Sequence, residues 1–385
     1  MNFDWTPQEQ EIKKRVAGLF DQSAISDMEI LEQAEPPEIK EITMRCCKLL
    51  AGAGYFGLGM GPAARNEIMT LIAAQEELAK ISASLFLAVE VTARLFGGLV
   101  AGYGTATLKG EILDPLKQGS LIGAVAIAEA PVKLENEEKS VPGKWNTIAH
   151  DAGQGYVLSG SKSYATNGPI ADWLAVAGSV ADRSAVFLLP SSSPGLIIGE
   201  RLRTLGYNGL AVSSLELNEV HVDNNYVLGP FDDDAPLNWL RLVEDMILSV
   251  ASVGLMGRTL TVALNHARNH HRNGKPIFAH QEVRFKLAEM LTMYQTAQLL
   301  IYRAGWMYGD AQKEAETVIR AAKVFTAESA ERVSSMALQI LAGQGYVWGN
   351  AVERGYREAK LAGLAGTSSE KARMAVAGDL LNQYR

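Results

Sequence analysis

Residues 155–168 read GYVLSGSKSYATNG, and four runs after them keep the same character: WLAVAGS (173–179), SAVFLLP (184–190), GLIIGERL (195–202) and VSSLELNEVHV (212–222). Each run is short, β-rich and cut off by Gly, Pro, Asn or Ser, which is the pattern of strands joined by turns. That spacing predicts a β-barrel or sandwich over 120–229. On either side the period changes. In 1–119, Thr6-Pro7-Gln8-Glu9 resembles a capped helix start with Pro at the first helical position. EIMTLIAAQEELAKI (67–81) and SLFLAVEVTARLFGGLV (84–100) then carry apolar residues every three or four positions. In 230–385, Asp232, Asp233 and Asp234 precede Pro236 and put negative charge at a helix N-terminus, where the dipole favours it. Long amphipathic stretches follow at 239–269, 280–307 and 314–341, and the short loops between them indicate a helical bundle. The expectation is an α+β protein with an N-terminal helical domain (1–119), a middle β domain (120–229) and a C-terminal helical bundle (230–385).

Composition excludes several classes. A net charge of −7 without a sustained basic cluster argues against nucleic acid as a partner. No unbroken apolar run reaches the ~18 residues of a membrane span, and MNFDWTPQEQEIKK shows no secretory pattern. The expected location is the cytoplasm. Cys46 and Cys47 are adjacent and read as two reduced helix-core thiols. His266, His270 and His271 have helical spacing but no carboxylate or thiol cluster beside them, so no metal site is expected. The charged run EAPVKLENEEKSVPGKW (129–145) reads as a solvated surface loop.

One carboxylate stands out. Glu244 sits inside the apolar stripe of Leu237, Leu240, Ile247, Leu248 and Ala251, at three, four and seven residues' distance. Burying a charge without a partner is costly, and the usual result is a raised pKa, which suits a base working near neutral pH. Asp245 turns to a more polar face with Ser249 and Ser252, and Arg241, four residues earlier, can pair with it. The competing reading is a structural Glu244 paired with Arg241.

The end of the chain, QILAGQGYVWGNAVERGYREAKLAGLAGTSSEKARMAVAGDLL (339–381), resembles the closing segment of the acyl-CoA dehydrogenase family. There a Q-x-x-G-G helix end leads through V-E-R-x-x-R-[DE]-A-[KR] to a loop reading Y-E-G-T. The Glu of that loop is the family's usual base. Here Ala365-Gly366-Thr367 occupies its place. The resemblance implies an N-terminal helical domain, a middle β-barrel and a C-terminal four-helix bundle. It also implies FAD, and α,β-dehydrogenation of an acyl thioester: a base takes the α-proton while the flavin accepts hydride from the β-carbon. In isovaleryl-CoA dehydrogenase-like members the base is a Glu twelve residues before the Met of a G-L-M triplet. Glu244 stands twelve residues before Met256 of Gly254-Leu255-Met256. Glu90, in an apolar helix that could line an acyl pocket, is a second candidate.

Other roles follow from the resemblance by position. A backbone amide of Ala365 or Gly366 would hold the thioester oxygen, and small residues there would admit a branched or cyclic acyl group. Tyr164, Ala165 and Thr166 match the [WF]-[IV]-[TS]-N-G flavin strand. Ile127 and Ala128 match the start of L-T-E-P-x-A-G-S-D, with Ala128 and Leu134 replacing its Thr and Ser. Arg272 and Gln281 stand at the cofactor, in a segment where the Arg-x-x-Phe-Gly motif reads His270-His271-Arg272-Asn273-Gly274. Gln339 and Gly343 would reach the diphosphate of a neighbouring subunit, which makes a homodimer or homotetramer the expected state. Thr367 and Ser369 would complete the adenosine-diphosphate site. Glu90, Leu134 and Arg241 are set beside the substrate. Asp245 replaces the Arg that usually follows a base on this helix. The thioester could ride on CoA or on a carrier protein, with an electron-transfer flavoprotein or similar acceptor. Two other readings stand beside this: a monooxygenase-like relative, which also lacks the loop Glu, and a silent homologue acting as a binding subunit, which the hydroxyls lost at 128 and 134 favour.

Overall fold

The protein is seen in a computed structural model that describes residues 5–20, 28–61, 64–129 and 145–383. Leu134 and nearly all of the charged run 129–145 lie outside them. The chain begins with α1 (Pro7–Ala17), capped as its sequence suggests. Thr6 Oγ1 accepts the Glu9 N–H while the Glu9 carboxylate accepts the Thr6 N–H, and Pro7 fills the first turn. Then come α2 (Pro36–Gly52), α3 (Ile68–Ile81), α4 (Ala83–Glu90), α5 (Gly97–Tyr103) and α6 (Ala106–Lys117). Cys46 and Cys47 are free and buried on α2. A π-helical stretch, Val91–Phe96, joins α4 to α5, so 83–103 is one continuous apolar helix. That helix, and the one at 235–269, are long and apolar enough to cross a bilayer. Their apolar windows are 89% and 67% buried inside the fold, as core helices require.

The strands β1 (Gly123–Ala126), β2 (Ile148–Asp151), β3 (Gly155–Thr166), β4 (Trp173–Val180), β5 (Arg183–Pro190), β6 (Leu196–Ile198), β7 (Val212–Asp223) and β8 (Val227–Leu228) form one mixed sheet. Its order is β6-β7-β3-β1-β4-β5-β8, with β2 also pairing β3 and β4. Alternation along the strands, shifted in phase by a bulge at Glu219, sends Leu158, Val176, Phe187, Leu215 and Val220 to one face, where with Ala171 they form a core supplied almost wholly by the sheet. A sheet that supplies nearly all of a core must curl over it. Asn167 closes the sheet onto the N-terminal helices: its side-chain amide donates to Ala88 O (2.9 Å) and Gly123 O (3.1 Å).

The C-terminal part is α7 (Ala235–Asn269), a short hairpin (His271–Arg272 with Lys275–Pro276), α8 (Gln281–Gly309), α9 (Ala315–Leu341), α10 (Ala351–Glu358), α11 (Leu361–Leu364) and α12 (Ser369–Gln383). The long helices α7, α8, α9 and α12 pack as a bundle, and α7 also packs on α3 and α4. Helix α7 can serve both sides because Gly254 lets α3 approach: a β-carbon there would lie 2.5 Å from that of Ala79. The helix that carries Glu244 therefore runs through the middle of the molecule.

Candidate active site

Glu244 projects from the third turn of α7, half-buried, with Leu240, Ile247 and Leu248 buried around it. Burial, then the neighbouring Asp245 carboxylate, push its pKa up to about 7, against the pull of Lys323 and Arg241. Facing it is the loop after α11. Gly366 has a left-handed φ of 61°. A β-carbon on it would lie 3.5 Å from Glu244 Cγ, 3.1 Å from Leu248 Cδ1 and 2.7 Å from Asp245 Oδ1.

The loop is held by hydrogen bonds that sort its backbone groups. Ala365 N–H donates to Leu361 O (2.9 Å) and Thr367 N–H donates to Asp245 Oδ1 (2.9 Å). Lys323 Nζ, from α9, donates to Ala365 O (2.6 Å) and to Thr367 O, and lies 3.5 Å from Asp245 Oδ1. Gly366 N–H makes no hydrogen bond among the described residues. Of the two amides that sequence left open for the thioester oxygen, Ala365 is engaged and Gly366 is available.

Asp245 corrects the sequence reading. It is 1% exposed rather than on a polar outer face, and Ser249 and Ser252 are buried with it. Their hydroxyls donate to the carbonyls of Asp245 and Leu248, one helical turn back. The face turned toward α9, which looked polar in sequence, is a helix–helix contact. Arg241 is exposed and makes no ion pair among the described residues, so the partner of Asp245 is Lys323. Burial raises the Asp245 carboxyl, opposed by Lys323 and the Thr367 amide. Burial likewise lowers the Lys323 ammonium, opposed by Asp245. Sequence reasoning passed over Lys323, although its signal was that of Glu244: a charge amid Ile319, Thr326, Ala327 and Ala330 at helical spacing.

Glu90 is wholly buried and fully engaged. Tyr55 Oη and Gln75 Nε2 donate to it at 2.5 Å each, and Arg94 Nε lies 3.7 Å away. Burial raises its pKa against Arg94, Tyr55 and Gln75. Arg94 in turn donates to Tyr55 O (2.6 Å) and Phe56 O (3.4 Å). This is the pattern of a buried ion pair: both Glu90 oxygens accept a hydrogen bond, while Arg94 Nε faces the carboxylate without bonding to it. Next to it a cavity of about 30 Å³ is lined by Leu71, Gln75, Arg94, Trp239, Met246 and Tyr308 among others. Trp239 closes its outer end, donating to Tyr308 Oη at 3.1 Å. The cavity lies along the side of α7 next to that of Glu244.

The cofactor candidates fall into separate places. Ile127 and Ala128 adjoin Tyr164, Ala165 and Thr166, because β1 pairs β3 with Val125 opposite Thr166 and Ala126 opposite Ala165, and Ser163 N–H donates to Ala128 O (2.9 Å). Tyr164 is 61% exposed, an open aromatic face at the end of β3. Ala165 is buried and Thr166 half-buried. Arg272 and Gln281 are exposed on the hairpin after α7 and at the start of α8. Gln339 and Gly343 are exposed at the end of α9, where Gly343 faces open space. Thr367 and the buried Ser369 share the Gly366 loop. Among the described residues no hydrogen bond joins the β1–β3 group, the Arg272–Gln281 segment, the Gln339–Gly343 segment and the Gly366 loop to one another. Among the described residues no group of three or more His, Cys, Asp or Glu could hold a metal.

A helical N-terminal region, a mixed β-sheet and a C-terminal helical bundle, with Glu244 and Asp245 of α7 facing the Gly366 loop, define an α+β architecture. Family profiles described as "Acyl-CoA dehydrogenase, middle domain" and "Acyl-CoA dehydrogenase, C-terminal domain" match residues 135–220 and 239–381. The chain is 30% identical over 319 residues to the short-chain specific acyl-CoA dehydrogenase of Rattus norvegicus mitochondria, covering 81% of this chain and 76% of the relative. Its fold is similar to that of butyryl-CoA dehydrogenase from Megasphaera elsdenii (TM-score 0.86, 23% identity, 99% and 100% of the two chains). It is similar also to the prolyl acyl carrier protein oxidase AnaB (TM-score 0.84, 26% identity, 98% and 100%). The chain belongs to the acyl-CoA dehydrogenase family and is an oxidoreductase acting on CH–CH bonds.

Proposed function

We propose that the protein is an FAD-dependent dehydrogenase that introduces an α,β double bond into an acyl thioester, with Glu244 taking the α-proton. The observation that carries this is the pairing of Glu244 with the Gly366 loop. A half-buried carboxylate, pushed up to about 7, lies against the 365–367 turn, where the amides of Ala365 and Thr367 are engaged and that of Gly366 is not. A base near neutral pKa accepts a proton from a weak carbon acid without being protonated beforehand at working pH. Gly366 N–H, held by the bonds on either side of it, donates to the thioester oxygen as enolate charge develops there. The residues on β1 and β3 fit a flavin: Tyr164 offers an exposed ring for a planar partner, with the strand end at Ile127 and Ala128 beside it. When bound, FAD supplies the acceptor for the β-hydrogen. Exposed Tyr346, Val347 and Trp348, next to Gln339 and Gly343, support a neighbouring subunit at that corner and hence a homo-oligomer.

The thioester rides on CoA or on a carrier protein. Asp245 stands where a cation is usual, and the likeness to AnaB favours a carrier as the second reading. Small residues at 365 and 366 leave room for a branched or cyclic acyl group beside the α-carbon. Reoxidation falls to an electron-transfer flavoprotein or a similar acceptor. The test is optical. The purified protein is expected to be yellow and to bleach without oxygen on adding an acyl-CoA or an acyl-carrier thioester. A protein that stays colourless after reconstitution with excess FAD overturns the reading.

A further inference from the structure

Asp245 is the residue on α7 that departs furthest from what its surroundings demand. It is a nearly inaccessible carboxylate next to Glu244, gripping the loop on which the reaction geometry depends. A buried charge is retained at a cost of several kcal/mol unless partners compensate, so its contacts bear on why it is there. Three converge. Its Oδ1 accepts Thr367 N–H at 2.9 Å, lies 3.5 Å from Lys323 Nζ, and occupies the space that any side chain at 366 would need. Lys323 divides its protons between the carbonyls of Ala365 and Thr367. The amide on one side of Gly366 and the carbonyls on both sides are thus tied to two charged side chains from two long helices.

We propose that Asp245, seated on Lys323, is a positioning residue: it clamps the 365–367 loop against α7 so that the Gly366 amide stays open, and its charge sets the proton affinity of Glu244. The inference rests on the reading of Glu244 as the base. Two like charges on adjacent residues that both flank Gly366 repel when both are ionised, and the more weakly held one then keeps its proton to higher pH. Asp245 has an amide and an ammonium to stabilise its anion; Glu244 has neither within bonding distance. The other charges around this part of α7 are committed elsewhere. On α3, Glu76 is held by Lys80 and Lys13; between α4 and α5, Glu90 faces Arg94; on α10, Glu358 is paired with Arg258. From α8 come Tyr294 and Tyr308, and from α12 Glu370, which acts on Lys323. Arg241, exposed on α7, is the remaining cation and pulls the opposite way. An Arg in place of Asp245 would put a cation beside Glu244 and lower its proton affinity, so the acid at 245 and the base at 244 belong together.

The experiment uses the flavin-loaded protein and two variants, Asp245→Asn and Asp245→Ser. Asn keeps an acceptor for the Thr367 N–H, the shorter Ser gives it up, and neither is charged. The protonation of Glu244 is read directly as the pH-dependent carboxyl band in infrared difference spectra, with Glu244→Gln as the blank. The acid limb of anaerobic flavin reduction is measured beside it. The expected result is a fall of about one to two pH units in both readouts, with a lower plateau rate because a weaker base transfers the proton more slowly. A Glu244 band that titrates where it does in the parent protein, in whichever of the two variants folds, overturns the proposal. The underlying reading fails separately: if Glu244→Gln reduces its flavin at the parental rate, Glu244 is not the base, whatever its band does.

Discussion

Gly366 is packed on Asp245 with no room for a side chain between them: a β-carbon at 366 would lie 2.7 Å from Asp245 Oδ1, while it would only touch the adjacent Glu244 Cγ at 3.5 Å. The φ of 61° adds a second demand, since a left-handed backbone costs a non-glycine residue roughly 1–2 kcal/mol. Gly366→Ala is therefore expected to lower stability by about 1–3 kcal/mol. It is also expected to slow anaerobic flavin reduction while leaving bound flavin in place. Denaturant melts and flavin-to-protein absorbance ratios check this. Unchanged stability would mean the loop relaxes freely, and its clamping by Lys323 would count for little.

Glu244→Gln and Glu90→Gln separate a base from a buried structural acid. The first keeps volume and shape, so it should retain flavin and bind thioester. It should lose reduction rate by about two to four orders of magnitude, the worth of a positioned general base. The second leaves Arg94 uncompensated in the core, a change that costs about 3–5 kcal/mol when one partner of a buried pair is removed. Its rate per folded molecule should stay close to that of the parent. Stopped-flow reduction and thermal melts together decide it. A Glu90→Gln protein that is stable yet inert would move the role to Glu90.

Stability should fall as pH rises through the range where Glu244 titrates. Its native pKa, about 7, is above the carboxyl's ordinary 4.5, so between these values the native state binds more protons than the unfolded one. By linkage the slope of unfolding free energy with pH is then negative: the contribution is fully present below about 4.5 and lost above about 7. The full difference is at most about 3 kcal/mol, and partial exposure makes the observed value smaller. Glu244→Gln should remove this slope and be more stable than the parent at pH 8. Chemical denaturation from pH 5 to 8 measures it, and parallel curves for the two proteins would contradict the assignment.

Glu76 gives the opposite dependence. Burial alone would raise its pKa, but Lys80 (2.8 Å) and Lys13 (3.5 Å), with Tyr302, hold it at about 2. Tyr294 Oη (3.0 Å) and Gln298 Nε2 (2.5 Å) also donate to it, so one carboxylate ties α1, α3 and α8 together. Its stabilisation is present above the unfolded pKa near 4.5 and is lost as pH falls toward 2. Glu76→Gln is expected to lose about 1–3 kcal/mol at neutral pH, because Lys13 and Lys80 lose one of two carboxylates and keep Glu77 (2.9 and 3.2 Å). The loss should shrink at pH 3. A neutral effect at pH 7 would show that Glu77 alone holds the two lysines.

The order of helical, β and helical regions was legible in the chain because it depends on local periodicity. Alternation in 155–222, three- and four-residue spacing on both sides, and the Thr6–Glu9 box each report on their own segment. The charge placed inside an apolar stripe at 244 was legible for the same reason. What sequence could not decide was what each helix face meets. Periodicity gives the angle of Asp245 around α7, but whether that angle opens to water or to α9 depends on a helix some eighty residues away; it meets α9, so the polar-looking stripe with Ser249 and Ser252 is buried and Lys323 replaces Arg241 as its partner. The same holds for Glu90, whose partners Tyr55 and Gln75 come from other elements, and for the choice between the amides of Ala365 and Gly366. Local backbone preference is written residue by residue along the chain. Burial, ion pairing and the freedom of a single N–H are properties of surfaces brought together from distant positions, and only the tertiary structure brings them together.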